Sequence, residues 1–381
     1  MKKILVIHNK YREAGGEDIA VENEIKFLKQ HFNVQVLFFD NQVKNVVSQF
    51  FYFLLNSNIE SKKLIQKSLD EFKPDIVYVH NTWFKASLSI FDVLLSENVQ
   101  ILLKLHNFRH FCTSTFFSKR HLMNGDICHA CGNTKKDLGW FNRYYSNSFI
   151  KSFLVNYYGT KYAKILKNPR IKIIALTNFH KTFLNNLGYE ESKIYVIPNT
   201  INLNEKNFTQ DKKNVLIYAG RISNEKGVEE LIRSFNNRSD KTLKLKIIGD
   251  GPELGRLKAK YSNEDVEFLG YIDNPSVQKI IMNSKAIVTA TKLFEGQPTI
   301  LCEAAVKEIP TIFPESGGIA EFYPENYELS FKQFSYKELT KKIDLLSDSK
   351  KTTEQGKISK NFMLDYLDSE KILSKFNSVL T

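Results

Sequence analysis

The sequence predicts an α/β protein built from two doubly wound domains that face a cleft. Its 381 residues exceed one ordinary compact core and suit two domains of roughly 150 to 200 residues each. Short runs rich in Ile, Val and Leu alternate with helical patterns in two successive series, as expected for parallel strands covered by helices. A polar stretch without apolar periodicity separates the two series.

The first series predicts an N-terminal domain over residues 1–200. Lys3–His8 is expected to be a strand and not a signal peptide, because charged residues follow the run in place of a small-residue cleavage site. A helix is predicted over Asp18–Gln30. Further strands are predicted at Val34–Phe39, Asp75–His80, Gln100–His106, Ile171–Thr177 and Lys193–Ile197. Residues 107–170 interrupt this rhythm.

The second series predicts a C-terminal domain over residues 201–365, entered through a polar linker at Asn202–Asn214. Its strands are predicted at Val215–Ala219, Leu243–Gly249, Val266–Leu269, Ala286–Ala290 and Pro310–Phe313. Their carboxyl ends are expected to face the cleft, because open α/β sheets bind ligands there.

Composition is that of a globular protein, with 42% hydrophobic and 25% charged residues. No apolar stretch reaches the roughly 18 residues of a membrane-spanning helix, so we expect a cytoplasmic protein that is soluble or peripheral to the membrane. Four cysteines are too few for a disulfide framework in a chain of this size, which fits a reducing compartment.

The net charge of +12 is concentrated in one segment. Residues 101–189 carry 14 Lys and Arg residues against two Asp residues, whereas the remainder has 40 basic and 40 acidic residues. Such a local excess indicates a local anionic partner.

The strongest motif is TKLFEGQPTILCEA, residues 291–304, which follows a buried-looking strand and opens a helix. Pro298 suits the first helical position, so Glu295 is expected in the preceding loop. Thr299 and Glu303 are four residues apart and share one helix face. Carboxylates there can bind sugar and ribose hydroxyls, and the free helix amides suit a phosphate. The spacing alone favours an ordinary loop residue and a solvated helix carboxylate; the segment upstream changes that balance.

This upstream segment, residues 215–227, is predicted to be a strand, a glycine turn and the start of a helix. Arg221 lies just past the strand, and Lys226 lies near a helix N-terminus, where the helix dipole is already positive. A cation there is best explained by a bound anion. A diphosphate suits the bidentate fork of Arg and the point charge of Lys; two plain surface cations are the alternative.

In combination these motifs resemble glycosyltransferase family 4, whose members have the GT-B fold of two Rossmann-like domains. The resemblance covers essentially the whole chain. The matching elements are Glu295 with Glu303, Gly220-Arg221 with Lys226-Gly227, the turn Ile248–Gly251, and Gly15-Gly16. It implies sugar transfer with retention of configuration, a nucleotide diphosphate sugar donor and no cofactor or metal ion for catalysis. It also implies a last helix, at about residues 366–381, that packs on the N-terminal domain.

The resemblance implies roles for individual residues. Arg221 and Lys226 would hold the diphosphate and stabilise charge on the leaving group. Glu295 would bind the donor sugar and Glu303 the ribose. The residues expected to bind the donor are Gly16, Gly220, Arg221, Lys226, Gly249, Glu295, Gly296, Gln297, Pro298, Thr299, Ile300 and Glu303.

His106 is the main feature of the N-terminal half, at the end of an apolar run. In the resembling family a His at this strand end lies by the reacting sugar, where it can donate a hydrogen bond; a structural His is the alternative. The expected catalytic residues are therefore His106, Arg221, Lys226 and Glu295. Those expected on the acceptor side are Gly15, His80, Asn81 and Asn107.

Three cysteines in the interrupting segment suggest a structural zinc site. Cys112, Cys128 and Cys131 have suitable spacing if a His supplies the fourth ligand. Related transferases that share the His-Asn and Cys-x2-Cys signature often carry another Cys further on, and this chain has none at that place. Three ordinary thiols in a loop are the alternative.

The segment Trp140–Lys167 interleaves nine aromatic residues with five basic ones. This composition is typical of an amphipathic segment at a membrane interface, although a helix packed on the core would also need aromatic residues. No recognised nucleic-acid motif accompanies it. With the local positive charge, it predicts peripheral binding to the inner face of the cytoplasmic membrane and a lipid-linked glycan acceptor, as in surface polysaccharide assembly.

Two other functions remain open. A nucleotide-sugar epimerase of the same fold would need neither an acceptor nor a membrane surface. A non-enzymatic protein that binds anions or nucleic acid would bind with a strong dependence on salt.

Overall fold

The computed structural model describes residues 1–10, 15–41, 52, 55, 57–83, 85–108, 128–130, 149–203 and 213–380. The chain divides into two compact units, Met1–Thr200 with Ile372–Thr381 and Ile201–Lys371. Most of the predicted linker lies outside the described residues.

The first unit is built on a parallel sheet. Its strands are β1 (Lys3–Lys10), β2 (Asn33–Asp40), β3 (Ile76–Val79), β4 (Gln100–Lys104), β5 (Ile171–Ala175) and β6 (Ile194–Val196). Its helices before the last segment are α1 (Gly16–His31), α2 (Ile59–Phe72), α3 (Ile90–Ser96), α4 (Phe149–Leu166) and α5 (Asn178–Asn186). The strand order is β2-β1-β3-β4-β5-β6. The apolar residues of β1, β3 and β4 are buried, as expected for parallel strands covered on both faces.

Polar side chains determine where two of these helices begin. The Asn58 side chain accepts hydrogen bonds from the backbone amides of Glu60 and Ser61 at the start of α2. Thr177 accepts one from the amide of His180 at the start of α5. These bonds satisfy amides of the first turn that have no partner within the helix.

A buried charged group ties α1 to the sheet. Lys104, at the end of β4, lies 2.8 Å from the nearer carboxylate oxygen of Glu24 on α1. The Tyr78 hydroxyl on β3 donates to the same carboxylate at 2.7 Å. Burial lowers the pKa of Lys104, while the Glu24 carboxylate opposes that shift. The contact therefore fixes one helix against two adjacent strands.

The second unit is built on another parallel sheet. Its strands are β7 (Val215–Ala219), β8 (Lys244–Ile248), β9 (Val266–Gly270), β10 (Ala286–Val288), β11 (Thr311–Glu315) and β12 (Ser330–Lys332). Its helices are α6 (Val228–Asn236), α7 (Leu254–Tyr261), α8 (Asn274–Met282), α9 (Thr299–Val306), α10 (Tyr336–Asp344) and α11 (Ser349–Tyr366). The strand order is β12-β11-β10-β7-β8-β9.

The last helix, α12 (Ser369–Val379), contacts the first unit. The ring of Phe376 lies 5.7 Å from the ring of Phe32 and 5.5 Å from that of Tyr78. The carbonyl of Val379 accepts hydrogen bonds from the side chains of Gln100 and Lys172. These contacts attach the end of the chain to α1 and to strands β3 to β5.

Each sheet has a point at which the strand order reverses. In the first unit it lies between β1 and β3, and in the second between β7 and β10. Open α/β sheets bind ligands beyond the carboxyl ends of the strands at such a point. The residues that follow β1, β3, β7 and β10 are therefore candidates for ligand binding.

The prediction of two parallel α/β domains is confirmed. Each predicted strand has a counterpart within a few residues of the predicted bounds. The short edge strand β12 was not predicted, because it has three residues and only Phe331 of them is buried.

Candidate functional site

The first part of the site is the turn between β7 and α6. Residues Asn224–Lys226 form a short 3₁₀ turn that ends at Gly227, whose φ is +68°. A Cβ atom at Gly227 would lie 2.0 Å from the carbonyl oxygen of Ala290, so only glycine fits this close approach. The turn that carries Lys226 is therefore in contact with the chain just after β10.

This contact brings two predicted residues together. The ammonium of Lys226 lies 2.5 Å from carboxylate oxygen Oε1 of Glu295. The hydroxyl of Thr291 donates to the same oxygen at 2.9 Å. The side chains of Lys226 and Glu295 are 29% and 27% exposed, so both can be reached by a ligand.

Lys292 holds this loop in place and was not singled out in the sequence. Its backbone N–H donates to the carbonyl of Glu225 at 2.9 Å, and its ammonium donates to Asn224 Oδ1 at 2.9 Å. The ammonium also pairs with Glu230 at 2.7 Å, and the side chain is 7% exposed. A Lys at the second position of the motif gives no local sign that it is buried, so only the fold identifies its role.

A glycine turn after β11 supports Glu295 from the other side. Gly317 has a φ of +61°, and a Cβ there would lie 2.3 Å from the backbone oxygen of Glu295. Gly318 N–H donates to that oxygen at 2.8 Å. The Ser316 hydroxyl donates to the carbonyl of Leu293. The sequence signal for this support is the Gly-Gly pair a few residues after a predicted strand, and sequence reasoning missed it.

Gly220 and Gly249 form two adjacent turns at the ends of β7 and β8. A Cβ at Gly249, whose φ is +132°, would lie 1.9 Å from the carbonyl oxygen of Gly220. Arg221 follows with an exposed side chain, while its carbonyl accepts a hydrogen bond from the Tyr218 hydroxyl at 2.8 Å. Within the described ranges, no ion pair includes Arg221, so its guanidinium is available to an anion.

The helix of the motif begins one residue later than predicted. α9 starts at Thr299, and Pro298 occupies the preceding capping position, not the first helical one, with φ −81° and ψ 78°. Gly296 and Gln297 are buried, whereas Thr299 and Ile300 are partly exposed. The missing N–H of Pro removes no helical hydrogen bond at either position, which is why sequence alone could not separate them.

Glu303 takes part in a hydrogen-bond network with α8. Its carboxylate accepts a hydrogen bond from the side-chain amide of Gln278 on α8, and the oxygen of that amide accepts one from the ammonium of Lys307.

In the first unit, the structure pairs two predicted histidines. His80, directly after β3, and His106, just past β4, lie with Nδ1 and Nε2 3.0 Å apart. Burial lowers the pKa of His106 well below its usual range, and the charge of Lys104 adds to that shift. Burial likewise lowers the pKa of His80, followed by the effect of His106. Both rings are therefore neutral at physiological pH and act through hydrogen bonds.

A second buried pair, which sequence reasoning missed, lies at the end of β1. His8 Nε2 lies 2.7 Å from Asp18 Oδ1, and both side chains are buried. The other oxygen of Asp18 accepts the backbone N–H of Gly15 at 3.0 Å. Asp18 thus fixes the start of α1, where Gly15 is the capping residue and Gly16 the first helical residue. The signal was an acidic residue in the first turn of a helix, a position that the helix dipole favours.

The two predicted asparagines have different surroundings. Asn81 donates to the carbonyl of Asn9 at 3.0 Å and accepts the backbone N–H of Trp83 at 2.9 Å, so it shapes the loop after β3. The side chain of Asn107 approaches the carboxylate of Glu17 at 3.4 Å.

The predicted zinc site falls mostly outside the described residues, since Cys112 and Cys131 are not among them. Cys128 is described and is buried. Among the residues that the structure covers, no group of three His, Cys, Asp or Glu side chains could hold a metal ion.

Helix α4, which includes much of the predicted interfacial segment, has two different faces. Tyr158, Tyr162 and Leu166 are buried in the core of the first unit. Phe149, Ile150, Phe153 and Tyr157 are exposed, with Phe153 at 60%. The helix therefore has one face in the core of the first unit and an exposed face that carries apolar side chains. No helix in the described part of the chain has the length and apolar character needed to cross a membrane.

The chain resembles known proteins in a family model, in sequence and in fold. Residues 199–361 match the family model described as "Glycosyl transferases group 1". The amylovoran biosynthesis glycosyltransferase AmsD of Erwinia amylovora is 27% identical over 150 residues, which cover 37% of this chain and 42% of AmsD. The putative teichuronic acid biosynthesis glycosyltransferase TuaC of Bacillus subtilis is 27% identical over 127 residues, covering 33% of this chain and 31% of TuaC. The aligned parts thus span less than half of either relative.

Among solved structures, the chain is similar to Anabaena HepE, crystallised with UDP and glucose. The TM-score is 0.70 at 15% identity, over 100% of this chain and 99% of HepE. The fold is therefore the GT-B fold, with two Rossmann-like domains. The residues that match the family model, 199–361, include most of the second unit.

Proposed function

We propose that this protein is a retaining glycosyltransferase of family 4 that moves a hexosyl group from a nucleotide diphosphate sugar to a glycan acceptor. The observation that carries the proposal is the cluster of Lys226, Glu295 and Thr291 at the strand reversal of the second unit. Arg221 follows the adjacent strand with an exposed side chain. A cationic pair beside a carboxylate suits a diphosphate joined to a hydroxyl-rich sugar.

The chemistry assigned to these residues is stabilisation of the leaving group. The acceptor hydroxyl oxygen bonds to the anomeric carbon while the bond from that carbon to the diphosphate oxygen breaks. The acceptor proton passes to the departing diphosphate, on the same face of the sugar. Arg221 and Lys226 offset the negative charge that develops there, so that no metal ion is required for this step. Glu295 binds sugar hydroxyls, Glu303 the ribose, and neutral His106 lies by the reacting sugar.

Donor binding is tested by thermal shift with UDP, GDP, ADP and UDP-glucose. A ligand at 100 times its dissociation constant stabilises the folded state by about 2.7 kcal/mol. Lys226→Met should abolish most of the shift caused by the best nucleotide. The matched control is Lys337→Met, which removes an exposed lysine of the same unit. Equal shifts in wild type and Lys226→Met would contradict the assignment of the diphosphate.

The reaction is tested by incubating the donor with and without added acceptor. Sugar transfer that depends on the acceptor supports the transferase. Conversion of the donor sugar without any acceptor would instead favour an epimerase. The anomeric configuration of the product, read by NMR coupling constants, decides retention against inversion.

The acceptor proposed is a lipid-linked glycan at the inner face of the cytoplasmic membrane, used in surface polysaccharide assembly. The names of AmsD and TuaC refer to the biosynthesis of two polysaccharides. Helix α4 supports a lipid surface, because Phe149, Ile150, Phe153 and Tyr157 are exposed beside basic residues. Lys164 and Lys167 are exposed near its end, and each such residue close to an anionic membrane contributes about 1 kcal/mol of attraction.

Sedimentation with vesicles tests the membrane proposal. Wild type should pellet with vesicles that contain phosphatidylglycerol and much less with phosphatidylcholine alone. Phe153→Asp and the triple change Lys161→Glu, Lys164→Glu and Lys167→Glu should reduce pelleting. Tyr271→Asp is the control, because Tyr271 is an aromatic side chain of the second unit with 68% exposure. Equal, negligible pelleting of all proteins would remove the membrane proposal and leave the transferase chemistry intact.

A further inference from the structure

The cation assigned to the diphosphate already has an anionic partner. Lys226 Nζ and Glu295 Oε1 lie 2.5 Å apart, and Thr291 is the other hydrogen-bond partner of that carboxylate. Any diphosphate that reaches Lys226 therefore meets a carboxylate that is bound to the same ammonium. In the proposed reaction Glu295 binds the sugar. Because it also contacts Lys226, Glu295 influences how the diphosphate binds.

The backbone of Glu295 is fixed close to the turn that carries Lys226. Its backbone oxygen is held by Gly318 N–H at 2.8 Å and leaves no room for a side chain at Gly317. The turn that carries Lys226 is tied to the same loop through the backbone and side chain of Lys292. These contacts hold the two loops together, so the carboxylate of Glu295 stays within reach of the ammonium of Lys226.

We propose, on the basis of the proposed function, that Glu295 opposes binding of the free nucleoside diphosphate product while it favours the nucleotide sugar. The reason is the change in charge when the sugar leaves. In the donor, the terminal phosphate is esterified and carries one negative charge. After transfer it is a monoester-like terminal phosphate whose second ionisation lies near pH 6, so it carries close to two charges at pH 7.

The carboxylate responds differently to the two states. A sugar hydroxyl can donate a hydrogen bond to the carboxylate of Glu295. This bond offsets the repulsion between that carboxylate and the phosphate. The released diphosphate has no such donor and more negative charge, so it competes directly with Glu295 for the ammonium of Lys226. Glu295 thereby selects the intact donor and promotes release of the product.

The experiment measures dissociation constants of UDP and UDP-glucose by calorimetry, or of the GDP or ADP counterparts if thermal shifts select them. The variants are Glu295→Gln, Lys226→Met and the double variant. Glu295→Gln keeps the size of the side chain and removes its charge. Glu325→Gln is the control, because it removes an exposed carboxylate of the same unit. Unfolding temperatures without ligand verify that each variant is folded.

Glu295→Gln should bind the nucleoside diphosphate about two- to fivefold more tightly, the range expected for release of a partly exposed ion pair. It should also lower the preference for the nucleotide sugar over the diphosphate, and raise product inhibition by a similar factor. In the Lys226→Met background, the same substitution should change the affinity for the diphosphate by less than about twofold. Glu325→Gln should leave both affinities unchanged.

Three results would separately contradict the proposed function of the site, the antagonism by Glu295, or its cause. If Lys226→Met does not weaken diphosphate binding, the proposed function of this site fails. If Lys226→Met weakens binding but Glu295→Gln leaves it unchanged or weaker, the site stands and the antagonism is overturned. If Glu295→Gln tightens binding equally with and without Lys226, competition for the ammonium is overturned.

Discussion

Gly227→Ala is expected to destabilise the second unit and to displace Lys226. Gly227 has a φ of +68°, and its new Cβ would lie 2.0 Å from the carbonyl oxygen of Ala290. An ordinary contact begins at 3.4 Å, so the two segments must separate by 3.4 minus 2.0, or about 1.4 Å. This separation strains the 2.9 Å hydrogen bond from the amide of Lys292 to the carbonyl of Glu225.

The size of the effect has two contributions. An L-residue in the left-handed region costs about 1–2 kcal/mol, and forcing an extra group into a packed site costs about 1–3 kcal/mol. The expected loss in the free energy of unfolding is therefore about 2–5 kcal/mol. Gly270→Ala isolates the first contribution, because Gly270 has a φ of +71° and no atom within 4 Å of a Cβ built there.

Urea unfolding followed by circular dichroism measures these losses, since both Trp residues belong to the first 200 residues of the chain and would not report on the second unit. Gly270→Ala should lose about 1–2 kcal/mol and retain the thermal shift caused by the nucleoside diphosphate. Gly227→Ala should lose more and show a smaller shift. If the two variants are equally stable and bind equally well, the close approach of the Lys226 turn to Ala290 is wrong.

Three further expectations concern pH and metals. Burial lowers the pKa of His180 to about 3, so the unfolded chain, with a His pKa of about 6.5, takes up this proton first as the pH falls. Stability is therefore lost below about pH 6.5, and between pH 7 and pH 5.5 wild type should lose about 1.2 kcal/mol more than His180→Leu in urea unfolding; equal losses would contradict this account. Metal analysis should find about one zinc per chain in wild type and in the control Cys302→Ala but less in Cys128→Ser, whereas a metal-free, folded wild type would remove the zinc proposal. Transfer to a soluble acceptor should survive EDTA, and a loss that Mg²⁺ or Mn²⁺ restores would indicate a different class of transferase.

The strands were accessible from sequence because parallel strands covered on both faces leave continuous apolar runs. β1, β3, β4 and β7 follow that pattern, and each was predicted. The edge strand β12 does not, since two of its three residues are not buried. Helix α4 was harder to interpret from sequence. Its aromatic residues predicted either a core face or an exposed face, and the folded helix has both.

The sequence by itself determined which charged groups stand at the strand ends. Lys226 and Glu295 each follow an apolar run and a turn, and these local patterns are visible in a window of about a dozen residues. Sequence also placed His80 and His106 at the ends of neighbouring runs. It assigned positions to these side chains but no partners.

Only the tertiary structure decided the partners. Lys226 and Glu295 are separated by 69 positions and meet because β7 and β10 are adjacent in the sheet. His80 and His106 are separated by 26 positions and meet because β3 and β4 are paired. Gly317 supports Glu295 through a close backbone approach, which the residues of the 291–304 motif do not reveal. The physical reason is that apolar periodicity and turn residues act over a few positions, whereas strand order and the close packing of loops bring together groups that are distant in the chain.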